Sequence, residues 1–124
     1  IINIASDLGI IAPDQRLYRQ DNISEELQNV KPVTYFVVKS GLIGLTRYLA
    51  TYWPEKNVRC NAMCPGGVGD GQPEDYLKAV FERIPMGRLA QSDEYQSTLL
   101  WMLSDASSYL NGAIIPIDGG RTVW

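Results

Sequence analysis

The chain has 124 residues, of which 45% are apolar and 20% charged, which is room for one ordinary globular domain and too little for two. A formal net charge of −3 argues against a partner surface made of nucleic acid or anionic membrane, and no apolar run approaches the ~18 residues of a membrane helix. With no histidine in the chain, Ser-His-Asp and Cys-His catalysis are excluded, and a catalytic zinc or other metal site is not expected.

The opening run, Ile1-Ile2-Asn3-Ile4-Ala5, reads as a buried strand of a parallel sheet, covered on both faces. A chain that starts inside such a strand reads as a piece of something longer. Ser6-Asp7-Leu8-Gly9 ends the strand and places Ser6 at its carboxyl end, where ligand sites gather in open α/β sheets. Taken by itself, such a serine is better accounted for by a turn or helix cap. From Gly9 to Pro32 no period is sustained, and an insert of that length suggests a functional loop. Within it Pro13-Asp14 signals a turn, and Ser24 is placed to cap a short helix. Arg16, Tyr18 and Arg19 suit a phosphate or carboxylate of a substrate, and equally a solvated surface loop.

Residues 33–53 form the clearest helix. Apolar and small residues cover most of its circumference, which predicts burial on more than one side. Ser40, Gly41 and Gly44 would let another helix approach closely, and Pro54 ends the helix. Tyr35 and Lys39 lie four residues apart, on one face and one turn apart. A free phenol ionises near ~10, too high for efficient proton exchange at neutral pH, and a cation held beside it favours the phenolate.

Val58 to Cys64 reads as a second strand, ended by Pro65-Gly66-Gly67-Val68. A helix joined closely to a following strand is half of a βαβ unit and implies parallel pairing. Gly67-Val68-Gly69-Asp70-Gly71 falls short of a dinucleotide loop because Gln72 takes the last glycine position; a mobile lid over 66–75 is the better reading. Cys60 and Cys64 lack further soft ligands and read as buried, reduced thiols, which points to the cytoplasm. Pro73 opens a helix to about Arg83, and Ser92 caps another that runs to about Ser104. Ala113 to Ile117 is a last strand, at an edge because Pro116 cannot donate to a ladder, and Asp118-Gly119-Gly120 is its turn.

Four motifs stand in order: Asn3-Ile4-Ala5-Ser6, Tyr35-x-x-x-Lys39, Asn61-Ala62-x-x-Pro65-Gly66-Gly67-Val68, and Gly112 to Gly120. In this order they resemble the carboxyl-terminal half of the short-chain dehydrogenase/reductase family, with features closest to members in pathways for surface or flagellin-modifying sugars. The resemblance implies an α/β fold, a partial Rossmann-type doubly wound parallel sheet of about three strands with flanking helices. It implies that residues 1–124 are the catalytic half of one such domain, without the half that binds the dinucleotide phosphates. Two departures stand out: the gap between Ser6 and Tyr35 is long for the family, and Gly69-Asp70 follow Val68 where a threonine often contacts the cofactor.

The activity implied is hydride transfer between NAD or NADP and an alcohol or ketone carbon of a small molecule, such as a sugar or sugar nucleotide. Tyr35 would exchange the hydroxyl proton as acid or base. Lys39 would favour its phenolate and bind the nicotinamide ribose. Ser6 would orient the substrate oxygen, and Pro65, Gly66, Gly67 and Val68 would line the nicotinamide pocket. Arg16 and Tyr18 are the candidate substrate contacts, and a homodimer or homotetramer is expected. Two alternatives stay open: an NAD-retaining nucleotide-sugar epimerase or dehydratase, and a non-catalytic Rossmann-like interaction fragment.

Overall fold

A computed structural model of the chain describes residues 1–123. Three strands, β1 (Ile2–Ile4), β2 (Asn61–Pro65) and β3 (Ile114–Ile117), form a parallel sheet in the order β1-β2-β3. Ile2 pairs with Asn61 and Ala62 with Ile114, so β2 is central and its residues 61–64 are all buried. Three helices flank the sheet: α1 (Val33–Tyr52), α2 (Glu74–Phe81) and α3 (Gln96–Leu103).

The side-chain period of two along β2 sorts the helices by face. Ala62 and Cys64 join Ala5 and Ile43 of α1 in one apolar cluster, while Met63 joins Tyr95 and Met102 of α3 in another. Leu17, Val80 and Ile84 make a third cluster between a 3-10 turn at Gln15–Tyr18 and α2, beyond the carboxyl ends of the strands. Two asparagines staple the central strand. Asn61 donates to Leu110 O and accepts from Ala113 N–H; Asn111 accepts from Cys60 N–H and donates to Ala50 O.

Several expectations are corrected. Among the described residues β1 pairs with β2 alone, the open edge expected of such a strand, and this chain's own residues leave Ile4 44% exposed rather than covering the strand on both faces. The long helix is buried on one side only. Ile43, Thr46 and Ala50 face the sheet, whereas Val33, Val37, Val38, Tyr48 and Tyr52 are exposed. Gly41 and Gly44 have open space where a Cβ would stand, and the close approach occurs at Gly9 instead. The second strand starts at Asn61, because Cys60 N–H is taken by the Asn111 side chain. Gln91, not Ser92, caps the helix that follows, as a 3-10 turn at Ser92–Tyr95 precedes α3 and Glu94 bonds back to the Gln91 amide. Pro116 does lie on an edge strand, and both cysteines are free and buried, their thiols pushed up by burial.

Candidate active site

Ser6 follows β1 in extended backbone and caps a 3-10 turn at Asp7–Gly9. Its Oγ accepts from Leu8 N–H (3.2 Å), and its hydroxyl donates to Asp7 Oδ1 (2.8 Å). Asp7 Oδ2 in turn accepts from Arg121 Nη1 at 2.9 Å, and Ser6 and Asp7 are both buried. The turn is pressed onto α1: a Cβ on Gly9 would lie 2.8 Å from Lys39 O, and Ser40 Oγ donates to Gly9 O. Ser6 and the Lys39 level of α1 are thus joined through one glycine.

On α1 Tyr35 and Lys39 are both half-buried. Lys39 Nζ lies 5.7 Å from the Tyr35 ring centroid and donates to Ile4 O at 2.9 Å. Ile1 and Ala5 direct their backbone groups at β2, through Asn61 N–H and Met63 O. By strand alternation Ile4 therefore turns its carbonyl to the open edge, where the lysine ammonium satisfies it. A second cation is nearer: Lys31 Nζ stands over the Tyr35 ring, 4.1 Å from its centroid. The Gln15 side chain fixes this lysine by bonding both its backbone N–H and its carbonyl.

Pro65 to Val68 leave the carboxyl end of β2, beside the end of β1 that carries Ser6. Gly66 is required by packing, since a Cβ there would come within 2.9 Å of Asp118 Cα. Gly67 and Val68 are exposed, and Val68 pairs with Ala90 as an isolated parallel bridge. The base of the 66–75 segment is thereby tied down, with Gly69 N–H donating to Ala90 O and the Gln72 amide to Val68 O. Exposed backbone at this strand end, with the Lys39 ammonium beside the neighbouring strand, fits the nicotinamide and ribose part of a dinucleotide.

Arg16 and Tyr18 line a cleft of about 730 Å³ together with Arg19, Gln72, Tyr76 and Ala79. Ser6, Tyr35 and Lys39 do not line it. The Tyr18 phenol stands beside the Tyr76 ring in this cleft, with ring centroids 6.2 Å apart. Burial pushes that phenol up to about 12, which keeps it neutral. The cleft's cations are partnered. Arg16 forms a two-pronged pair with Asp14, which also accepts from Arg83, and Arg19 pairs with Glu25. The Arg16 guanidinium, with Arg83 behind it, holds the Asp14 carboxyl well below the usual carboxylate range.

A family model described as enoyl-(acyl carrier protein) reductase matches residues 22–122. The D-threitol dehydrogenase of Mycolicibacterium smegmatis is 33% identical over 99% of this chain and 43% of its own length. A short-chain dehydrogenase structure from Leptospira borgpetersenii, with bound NAD+, is 30% identical with a TM-score of 0.87, over 98% of this chain and 44% of that one. A structure from Agrobacterium tumefaciens with bound NADP is 29% identical with a TM-score of 0.79, over 99% and 46%. The chain belongs to the short-chain dehydrogenase/reductase family. It spans less than half the length of these relatives. Among the described residues of this family member no helix is long and apolar enough to cross a membrane, and no group of three or more candidate ligands could hold a metal ion.

Three residues beside the family's motif positions were missed by reading the sequence. Asp7 follows the motif serine directly and carried a signal only as a turn former. Lys31 precedes Tyr35 by four residues, the same spacing as Lys39 on the other side. Arg121 had no signal, since nothing local marks a partner 114 residues away.

Proposed function

We propose that this chain is the carboxyl-terminal, catalytic part of an NAD- or NADP-dependent oxidoreductase that interconverts an alcohol and a ketone on a sugar or polyol. The observation that carries the reading is the packing of the Ser6 turn onto α1 at Lys39, one helical turn from Tyr35. A bound nicotinamide supplies the carbon that accepts or returns hydride. Tyr35 Oη takes the hydroxyl proton in oxidation and returns it in reduction. Ser6 orients the reacting oxygen. Lys39 and Pro65 to Val68 hold the nicotinamide end of the cofactor.

Two observations support a polyol over a phosphorylated substrate. The Arg16 and Arg19 cations that line the cleft are neutralised by Asp14 and Glu25. The threitol relative also acts on a small neutral polyol by its name. Arg16 and Tyr18 then serve as hydrogen-bond donors to hydroxyls. The exposed apolar faces of α1 and α3, which include Val37, Val38, Leu100 and Leu103, support a homodimer or homotetramer.

The test is Tyr35→Phe in the full-length protein. Turnover of the polyol should fall by about 10²–10⁴-fold, the usual worth of general acid–base catalysis. NAD or NADP binding, followed by cofactor fluorescence, should persist. A variant that keeps a tenth of the wild-type kcat would remove Tyr35 from this role.

A further inference from the structure

Asp7 and Arg121 form a 2.9 Å salt bridge whose side chains are only 4% and 10% exposed. Taking two charges out of water carries a desolvation cost that an apolar pair of similar volume avoids. The pair joins the segment after β3 to the turn that carries Ser6, and its carboxylate is shared with the serine. A carboxylate ionised beside a guanidinium can only accept, so in the 2.8 Å contact between Ser6 Oγ and Asp7 Oδ1 the serine is the donor. The Ser6 oxygen also accepts from Leu8 N–H, and Leu8 N–H donates to Asp7 Oδ1 as well, at 2.7 Å. The serine's one proton and one of its lone pairs are therefore committed. The carboxylate that takes the proton is held from its other oxygen by Arg121.

We propose that Asp7, held by Arg121, is a positioning residue for Ser6: it fixes the rotamer that places the Ser6 Oγ, and Arg121 acts on the site through Asp7. The inference rests on the reading of Ser6 as the group that orients the substrate oxygen. It gives the buried pair a role that joining the Ser6 turn to the segment after β3 alone would not require. The serine's proton must swing from Asp7 to the substrate oxygen, and a carboxylate held from behind keeps that swing a rotation about one bond.

The test combines a structural and a kinetic measurement on the full-length protein. Crystal structures of Asp7→Asn and Arg121→Lys should show Ser6 in more than one rotamer, against one in the wild type. Asp7→Asn should lower polyol turnover by on the order of ten- to a hundred-fold, the scale of a misplaced catalytic group. Arg121→Lys, which keeps the charge and folds more readily, should lose less. In a Ser6→Ala background Asp7→Asn should cost nothing further, because its effect passes through the serine. A single unchanged Ser6 rotamer in both variants, or the same loss in the Ser6→Ala background, would overturn the proposal. If Ser6→Ala and Tyr35→Phe leave turnover intact, the roles given to Ser6 and Tyr35 fail, and the rotamer measurement still decides what Asp7 does to Ser6.

Discussion

Gly9→Ala is the most direct probe of how the Ser6 turn is seated. An added Cβ would lie 2.8 Å from Lys39 O, 2.9 Å from Lys39 C and 3.1 Å from Ile43 Cδ1. The first two are backbone atoms of α1 and cannot rotate away, and Ile43 is itself 8% exposed in the core. Gly9 lies outside the left-handed region, so the cost is steric and owes nothing to φ. Overpacking of this kind costs about 1–3 kcal/mol, and the middle of that range moves a urea midpoint by about 1 M at an m-value of about 2 kcal/mol/M. Gly41→Ala is the control. Nothing in this chain lies within 4 Å of its Cβ, so where no second copy packs on the Val37–Val38 face of α1 the residue change should add about 1 kcal/mol through helix propensity. Urea unfolding followed by circular dichroism reads both. A Gly9→Ala protein as stable as the wild type would refute the seating of the Ser6 turn on α1. A destabilised Gly41→Ala protein would show that another surface covers that face of the helix.

The Arg88–Glu94 pair should set an acid-dependent part of stability. The Arg88 guanidinium, with help from the Gln91 N–H, holds Glu94 down to about 2 from its ordinary 4.5. A folded-state value below the unfolded one means stability that is complete above pH 4.5 and lost as the pH falls towards 2. The stability difference between wild type and Arg88→Gln should accordingly shrink across that window in urea titrations, and a difference constant down to pH 2 would contradict it. In the core, Thr46 is fully buried, accepts from Asn3 Nδ2 at 2.9 Å and donates to Leu42 O. Thr46→Val strands the Asn3 amide with only the weak Cys60 thiol contact and should cost about 1–3 kcal/mol in the same assay.

What could be read from the chain follows from how local each feature is. The helix over residues 33–52 was legible because Pro32 and Pro54 bracket it and its side chains repeat at helical spacing. Tyr35 and Lys39 share a face by helix geometry alone, so their pairing needed no knowledge of the rest of the molecule. The parallel sheet followed from a helix set between two apolar runs. The cap at Gln91 was not legible, because glutamine is not a preferred cap; it serves here because Glu94, fixed by Arg88, bonds back to its amide. Gly41 and Gly44 sit in a helix and invite a packing role that no other part of this chain fills, and only the path of the 3-10 turn shows that Gly9 is pressed against the backbone of α1.

By itself the sequence determined the elements, their order and the family, since each depends on residues within a few positions of one another. The tertiary structure alone decided that Asp7 meets Arg121, that Lys39 donates to the Ile4 carbonyl, and that the arginines of the substrate cleft are already paired. Those pairings depend on strand register and on where distant turns land. Charge complementarity can select among partners only after the fold has brought them within reach.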